Sequence, residues 1–573
     1  MANRYWVGGS GTWDNVSILN WSATSGGAPL ASVPTSADNV VFDSASGTGT
    51  CTTASGSTCA TATLNSSTLG LTLGNNHTMS GAFTLSAGVL NLQTFTLACS
   101  SFFSNNSTAR TIAFGTGNIS INGNAGSIIN ITTSTNLTVT GNPVINATYS
   151  GTVGTRTLSM GASGTGGTEA NSVSLNIISG SDIVTIGGGM RDLNFTGFSG
   201  TLSANSFSRT IYGNLTLSST MTLSTDSGAT TFAATSGIKT ITFNTKTIDA
   251  PIVFNGVGGT FQLQDNFTTT ATQAVTLTNG TLDINGKTLS CGFFSSGNSN
   301  VRTIAFGSGN IIVTGSGFSW ATPTTTNLTI TGVPVVNISN NSSVATTVQS
   351  GTLPETSSIS FNFTTGTYPL TFLGSAGYTA KNINFTGFAG TWNATAVAVI
   401  YGDLTLSTGM ALTASANTMT FGGTSGTQTL TTNSKTVDFP LTFNGVGGTF
   451  SFADALTLGS TRAFTITNGT VKLKNGTTNT VGSFTTGAGT TQRFLQSTVA
   501  GTQATITDPS GVNAATYLTV QDIAATGGAT WNAFSANNNV DAGNNTGWDF
   551  GISPSYTYEF PMKLRSFTER NRF

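Results

Sequence analysis

Apolar residues in this chain seldom run together. They alternate with polar ones over short stretches, then break at a Gly or an Asn-Gly pair. In residues 276–290 (TLTNGTLDINGKTLS), Leu277, Leu282, Ile284 and Leu289 are separated by polar side chains. A period of two is the pattern of a strand with one buried face. Thr, Val, Ile and Phe are abundant while Glu and Lys are scarce, so the pattern predicts strands rather than helices. The longest apolar run, residues 396–401, falls far short of the ~18 residues of a membrane-crossing helix, and no membrane insertion is expected.

The Asn-Gly pairs at 279–280, 285–286, 468–469 and 475–476 admit two readings. Each could be a type I′ hairpin turn, or the left-handed corner of a solenoid coil. Dense Thr, Ser and Asn with sparse charge favours stacked parallel coils, where polar side chains form hydrogen-bonded ladders and like charges would stack unfavourably. The expected fold is all-β: a parallel β-helix (β-solenoid) rod, with a string of β-sandwiches as the alternative.

Self-comparison sets the organisation. CSSFFSNNSTARTIAFG from Cys99 returns as CGFFSSGNSNVRTIAFG from Cys291. NLTVTGNPVIN from Asn136 returns as NLTITGVPVVN from Asn327, NFTGFSG from Asn194 as NFTGFAG from Asn384, and FNGVGGTF from Phe254 unchanged from Phe443. The order is kept, so the sequence is internally duplicated with a period of about 190 residues. TNGTVKL from Thr467 opens a decayed third copy. The expected parts are an N-terminal cap and attachment region (1–79), solenoid repeat 1 (80–270), repeat 2 (271–459), a partial third repeat with a C-terminal cap (460–550) and a charged tail (551–573). Trp6, Trp13 and Trp21 at one end, and Trp531 and Trp548 near the other, suit aromatic caps that hide terminal coils from edge-to-edge pairing. The recurring Phe102–Phe103, Phe114 and Phe195, with partners Phe293–Phe294, Phe306 and Phe385, are expected in the core.

Charge narrows the function classes. Only 7% of residues are charged, against ~25% in an ordinary domain, and the net charge is −1. No basic field exists to hold nucleic acid. With 36 Phe the chain is too apolar for disorder. Cys51, Cys59, Cys99 and Cys291 are too few for a disulfide scaffold and are expected as small buried thiols; a Cys51–Cys59 pair is the alternative. The N-terminal residues lack an apolar signal segment, so synthesis in a host cytoplasm without a signal peptide is expected.

The chemistry-bearing residues are few. His77 is the sole histidine and has no carboxylate near it in sequence, so it reads as a loop or ladder residue rather than part of a triad. Asp182, Asp192, Asp226, Asp249, Asp265 and Asp283 occur singly. Coil stacking brings Asp226 and Asp249, then Asp249 and Asp265, closest to pairing as a glycosidase would need. Asp192 and Asp283 align with Asn382 and Lys472, so the duplication does not repeat a carboxylate site. The oxygen-rich residues 541–549 could hold Ca²⁺ or form Asx-turns. Arg110 and Arg302, matched in RTIAFG, are expected to tie a loop through backbone carbonyls. Asn-X-Ser/Thr triplets such as those at Asn136 and Asn194 follow from composition. Trp6, Trp13 and Trp21 are either cap aromatics or glycan-stacking rings. No catalytic residue, cofactor or metal is expected.

Residues 4–21 (RYWVGGSGTWDNVSILNW) with 33–43 (VPTSADNVVFD) resemble the start of large Gly/Thr-rich β-helical proteins. These belong to tailed phages (fibre, spike or decoration type) and to bacterial autotransporter-like surface proteins. Residues 540–551 (VDAGNNTGWDFG) resemble the closing motif of such proteins. The resemblance implies an extracellular or virion placement, a β-helical body and a structural or adhesive role, and it transfers no catalytic residues. The expected function is a non-enzymatic structural virion protein of a tailed phage that mediates reach and surface attachment. The rivals are a bacterial surface adhesin or self-assembling filament, and a polysaccharide-depolymerising tailspike. Partners are expected to be further copies of the chain, a trimer being favoured, other virion structural proteins and cell-surface glycans. Residues 559–573 (EFPMKLRSFTERNRF) concentrate charge among aromatics, so Phe560, Lys563, Arg565, Phe567, Arg570, Arg572 and Phe573 are the expected docking residues.

Overall fold

The computed structural model describes residues 1–161, 168–203, 207–225, 227–339, 343–374 and 377–551. Asp226 and the expected docking residues Phe560, Lys563, Arg565, Phe567, Arg570, Arg572 and Phe573 lie outside the described residues. The protein is an all-β parallel β-solenoid of about 22 turns. No α-helix occurs among the described residues, where 3-10 turns such as Glu169–Asn171 are the sole helical elements. Contacts divide the chain into two compact units: Met1–Ala396 with Gly409–Ala411, and Val397–Thr408 with Leu412–Phe573.

In the first unit the alternation of apolar and polar residues becomes columns. Leu97 faces Ile119, Ile119 faces Ile145, and the series continues through Leu175, Leu193 and Leu215 to Ile241. All seven are buried. The intervening residues point outward, as a pleated strand requires. Side-chain bonds between successive rungs join residues 18 positions apart at Ser174 and Asp192, but 30 apart at Asn146 and Asn176. The turns are therefore of uneven length, because corner loops grow and shrink without disturbing the strands. An antiparallel pair, Trp6 with Trp21, opens the chain.

The Asn-Gly pairs are corners. Asn279–Gly280 lies inside the strand Ala274–Asp283, where the ladder to Ile252–Leu263 shifts register. The chain bends there onto the next face, and both halves pair in parallel. Gly280 has φ +79°, and a Cβ on it would lie 2.2 Å from the Gly256 carbonyl oxygen. Asn285 and Gly286 are both left-handed, φ +53° and +70°. The hairpin alternative fails because the flanking strands hydrogen-bond to strands one turn away, not to each other.

In the second unit Gln428, Phe450, Val471, Leu495 and Val520 form one inward column. Phe421 and Phe443 stack beside it, with ring centroids 5.4 Å apart. The matched strands Ile252–Leu263 of the first unit and Leu441–Phe452 of the second have the same order of buried and exposed positions. Phe102, Phe114, Phe195, Phe294, Phe306 and Phe385 are all buried, as expected of core rings.

Candidate functional site

The sequence candidates are mostly occupied by the fold. Arg110 is 2% exposed on the strand Arg110–Ala113. Its Nε donates to Ser104 Oγ at 2.6 Å, Nη1 to the Thr108 and Thr135 carbonyls at 3.0 Å, and Nη2 to the Ser104 carbonyl at 3.0 Å and to the Thr133 carbonyl. Arg302 repeats the arrangement with Ser296, Asn300, Thr324 and Thr326. A planar guanidinium with five donors can satisfy a whole corner in this way, and burial lowers the pKa of both arginines. A third member, Arg493, fully buried, donates to the Thr467, Thr516 and Gly489 carbonyls. Sequence comparison missed it because RFLQS has lost the RTIAFG flank, although the spacing from Arg302 keeps the period.

His77 is a ladder residue rather than a loop residue, on the strand His77–Thr78 paired with Leu97, and its side chain enters the core. It is 2% exposed, its ring lies 4.8 Å from the Trp13 ring, and its Nδ1 is 3.1 Å from Ser57 Oγ. Burial drops its pKa to about 4. All four cysteines are buried and free, so Cys51 and Cys59 are not paired. Burial pushes the Cys59 and Cys99 thiols up to about 12, which leaves them inert. Trp6, Trp13 and Trp21 are at most 1% exposed and pack edge-to-face on one another. Burial of this kind leaves the ring faces packed against protein.

Of the carboxylates closest to pairing in sequence, Asp226 lies outside the described residues, and Asp249 and Asp265 are each held by separate local bonds. Asp249 accepts from Thr270 Oγ1 at 2.7 Å and Gln273 Nε2 at 3.1 Å, bonds that hold its carboxyl below the ordinary range. Asp265 accepts the Phe243 N–H at 2.9 Å and the Asn244 N–H. Asp541 and Asp549 cap their own turns at Gly543 and Gly551, the Asx-turn alternative to a Ca²⁺ loop.

One groove does gather charge. It lies on the first unit, with a volume of about 610 Å³, and is lined by Glu169, Arg191, Asp192, Asn214, Ile238 and Lys239. Glu169 is carried on the 3-10 turn Glu169–Asn171, whose N-cap Thr168 accepts from the Asn171 N–H. That turn reaches along the solenoid to Thr235, whose N–H (2.9 Å) and hydroxyl both donate to the Glu169 carboxylate. Lys239 Nζ lies 3.6 Å from the same carboxylate. Burial alone would raise the Glu169 pKa, but the Thr235 bonds and Lys239 outweigh it and hold the group below its usual value. Asp192 accepts from Ser174 Oγ at 2.6 Å and from Asn214 N and Nδ2 at 2.7 and 3.0 Å. A second groove of about 380 Å³ shares Asp192 and Asn214 and exposes Asn142, Asn194, Thr216 and Thr240. Both carboxylates are fixed by hydrogen bonds from neighbouring turns, so the arrangement is built to bind and orient. Sequence reading named Asp192 but not Glu169, Arg191 or Lys239. No sequence signal marked the other three, because only the stacking of uneven turns brings them together.

Comparison with protein-family models, with curated proteins and with solved structures found no match, so fold and site rest on this chain's own geometry.

Proposed function

We propose that this chain is a non-enzymatic structural protein of a tailed-phage particle: a fibre, spike or capsid decoration that supplies reach and surface attachment. The observation that carries this reading is how the solenoid uses its polar residues. Outward columns are ladders of uncharged amides and hydroxyls, such as Asn118–Asn146–Asn176 and the matched Asn310–Asn337–Asn362, with bonds of 3.4 and 2.9 Å in each. Buried Arg110, Arg302 and Arg493 are taken up by corner carbonyls, and buried Arg156 by Asp182. Such a surface is rigid, hydrated and without net charge, and it suits a spacer that meets other surfaces.

Two finer features belong to the same proposal. The sequence duplication is read as a duplication of solenoid segments, supported by the matched ladders and by the Arg110–Arg302 corners. The aromatic clusters are read as caps: Trp6, Trp13, Trp21 and Phe42 in the first unit, and Trp531 and Trp548, 5.2 Å apart, in the second. The chain works as a homo-oligomer, a trimer being favoured, through the tail residues Phe560 to Phe573.

The experiment compares the full chain with one lacking residues 560–573. The truncated chain keeps its strand circular dichroism and its melting transition, sediments as a monomer and no longer joins particles. A truncated chain that assembles and attaches like the full one overturns the docking role. A second reading, a polysaccharide-depolymerising spike, is favoured by one observation: Glu169 and Asp192 line the same groove. Release of new reducing ends from a surface polysaccharide, lost in Asp192→Asn, would establish it instead.

A further inference from the structure

The charged groove is not repeated where the sequence repeats: Asp192 matches Asn382, and the matched cations are paired differently. Arg191 in RDLNFTGF matches Lys381 in KNINFTGF. Lys381 Nζ is held by Glu355 at 3.3 Å, and Glu355 sits on the 3-10 turn Glu355–Ser357 that matches the turn of Glu169. In the groove, Glu169 is already taken by Thr235 and Lys239. Arg191 consequently has no hydrogen bond or ion pair from its guanidinium among the described residues, although it is half-buried in the groove wall. A half-buried cation without a partner, in a chain where Arg110, Arg302 and Arg493 are each tied to several carbonyls, marks a place prepared for an anion from outside.

The surroundings specify what carries that anion. Beyond Asp192 and Asn214 the adjoining groove presents Asn142, Asn194, Thr216 and Thr240, of which Asn194 and Thr216 are register partners on successive rungs, ~4.8 Å apart. Amides and hydroxyls both donate and accept, the complement of sugar hydroxyls. Ile238, 63% exposed on the wall, offers an apolar surface for the carbon face of a sugar ring. Ordinary phosphate or sulfate would use the arginine alone and leave this polar face idle. We propose that the two grooves form one binding site for an acidic oligosaccharide, with a sugar carboxylate on the Arg191 guanidinium and the neighbouring hydroxyls on the Asn142–Thr240 face. The proposal rests on the attachment reading given above and names the class of surface it would meet.

The test is calorimetric titration of the full-length protein with a panel of oligosaccharides. The panel holds a hyaluronan hexasaccharide, an oligogalacturonate and an oligosialate, each beside its carboxyl-reduced form. At least one acidic member should bind. Arg191→Gln should weaken that binding about 10- to 100-fold, the value of a bidentate charge-assisted pair, while Arg4→Gln leaves it unchanged. Carboxyl reduction should produce the same loss in the unsubstituted protein and none in Arg191→Gln. Since the Arg191 guanidinium makes no internal bond and its backbone bonds are kept on substitution, the variant should melt like the parent. Binding that is indifferent to Arg191, binding of the reduced sugars with equal strength, or no binding by any acidic member overturns the proposal. Arg191-dependent binding of inorganic phosphate without any of the sugars overturns it too. The truncated chain lacking residues 560–573 retains the groove, so loss of particle attachment and loss of glycan binding are read separately.

Discussion

His77 lies against Trp13 with its ring removed from water, and the folded chain resists protonating it. Its pKa of about 4 sits below the ordinary value of ~6.5, so the unfolded chain takes up a proton that the folded chain refuses. The contribution to stability is therefore complete above ~pH 6.5, declines as pH falls and is fully lost near pH 4; the total is about 3 kcal/mol. Urea unfolding followed by tryptophan fluorescence should show this decline in the parent and a flatter profile in His77→Phe. Identical profiles would mean that His77 is not the titrating group. Ionisable residues elsewhere follow the same logic of burial and satisfaction. The roles of Arg110 and Arg302 were legible in the sequence because a repeated cation in a nearly uncharged chain needs a fixed set of acceptors. Arg493 was not, because its flanks had diverged while its guanidinium kept the task.

Strands and corners divide the sequence information unequally. The period-two alternation at Leu277, Leu282 and Ile284 was sufficient to read strands, and the scarcity of charge favoured parallel stacking over hairpins. The corners decide how the strands stack, and there a single glycine is decisive. Gly280 combines φ +79° with a prospective Cβ contact of 2.2 Å to the Gly256 carbonyl oxygen, a backbone atom that cannot swing aside. Gly280→Ala should lose about 1–3 kcal/mol from the strained backbone alone. Gly286→Ala has a similar φ, but its nearest contact is the Ser308 hydroxyl at 3.1 Å, so it should lose less. Equal melting temperatures for the two variants would refute the close-approach argument. The groove, by contrast, was out of reach of sequence reasoning. Glu169, Asp192, Asn214 and Lys239 come from different turns, and the bonds linking those turns span 18, 22 and 26 residues in the Ser174–Asp192–Asn214–Thr240 series alone. Uneven steps of that kind hide which side chains share a face until the register is known.

A solenoid holds itself together by contacts between neighbouring turns, so stability at the scale of the molecule is close to a sum of local terms. This makes the extent of a defect measurable. Phe443 is fully buried in the second unit, with the rings of Phe421, Phe450, Phe452 and Phe464 at 5.0–6.0 Å. Removing it leaves a cavity that the strands Met419–Phe421, Leu441–Phe452 and Ala463–Leu473 share, because their ladders fix the distance across it. Phe443→Ala should cost ~3–5 kcal/mol, the usual range for a buried phenyl. In a globular core that loss would spread through the whole cooperative unit. Here hydrogen exchange should rise in those three strands and fade over the turns beyond them, while the columns of the first unit from Leu97 to Ile241 keep their protection. Phe254→Ala, the matched change in the first unit, should give the complementary map around Thr230–Phe232 and Ala274–Asp283. If either substitution loosened both units equally, the turns would be coupled over far longer distances than nearest-neighbour packing allows.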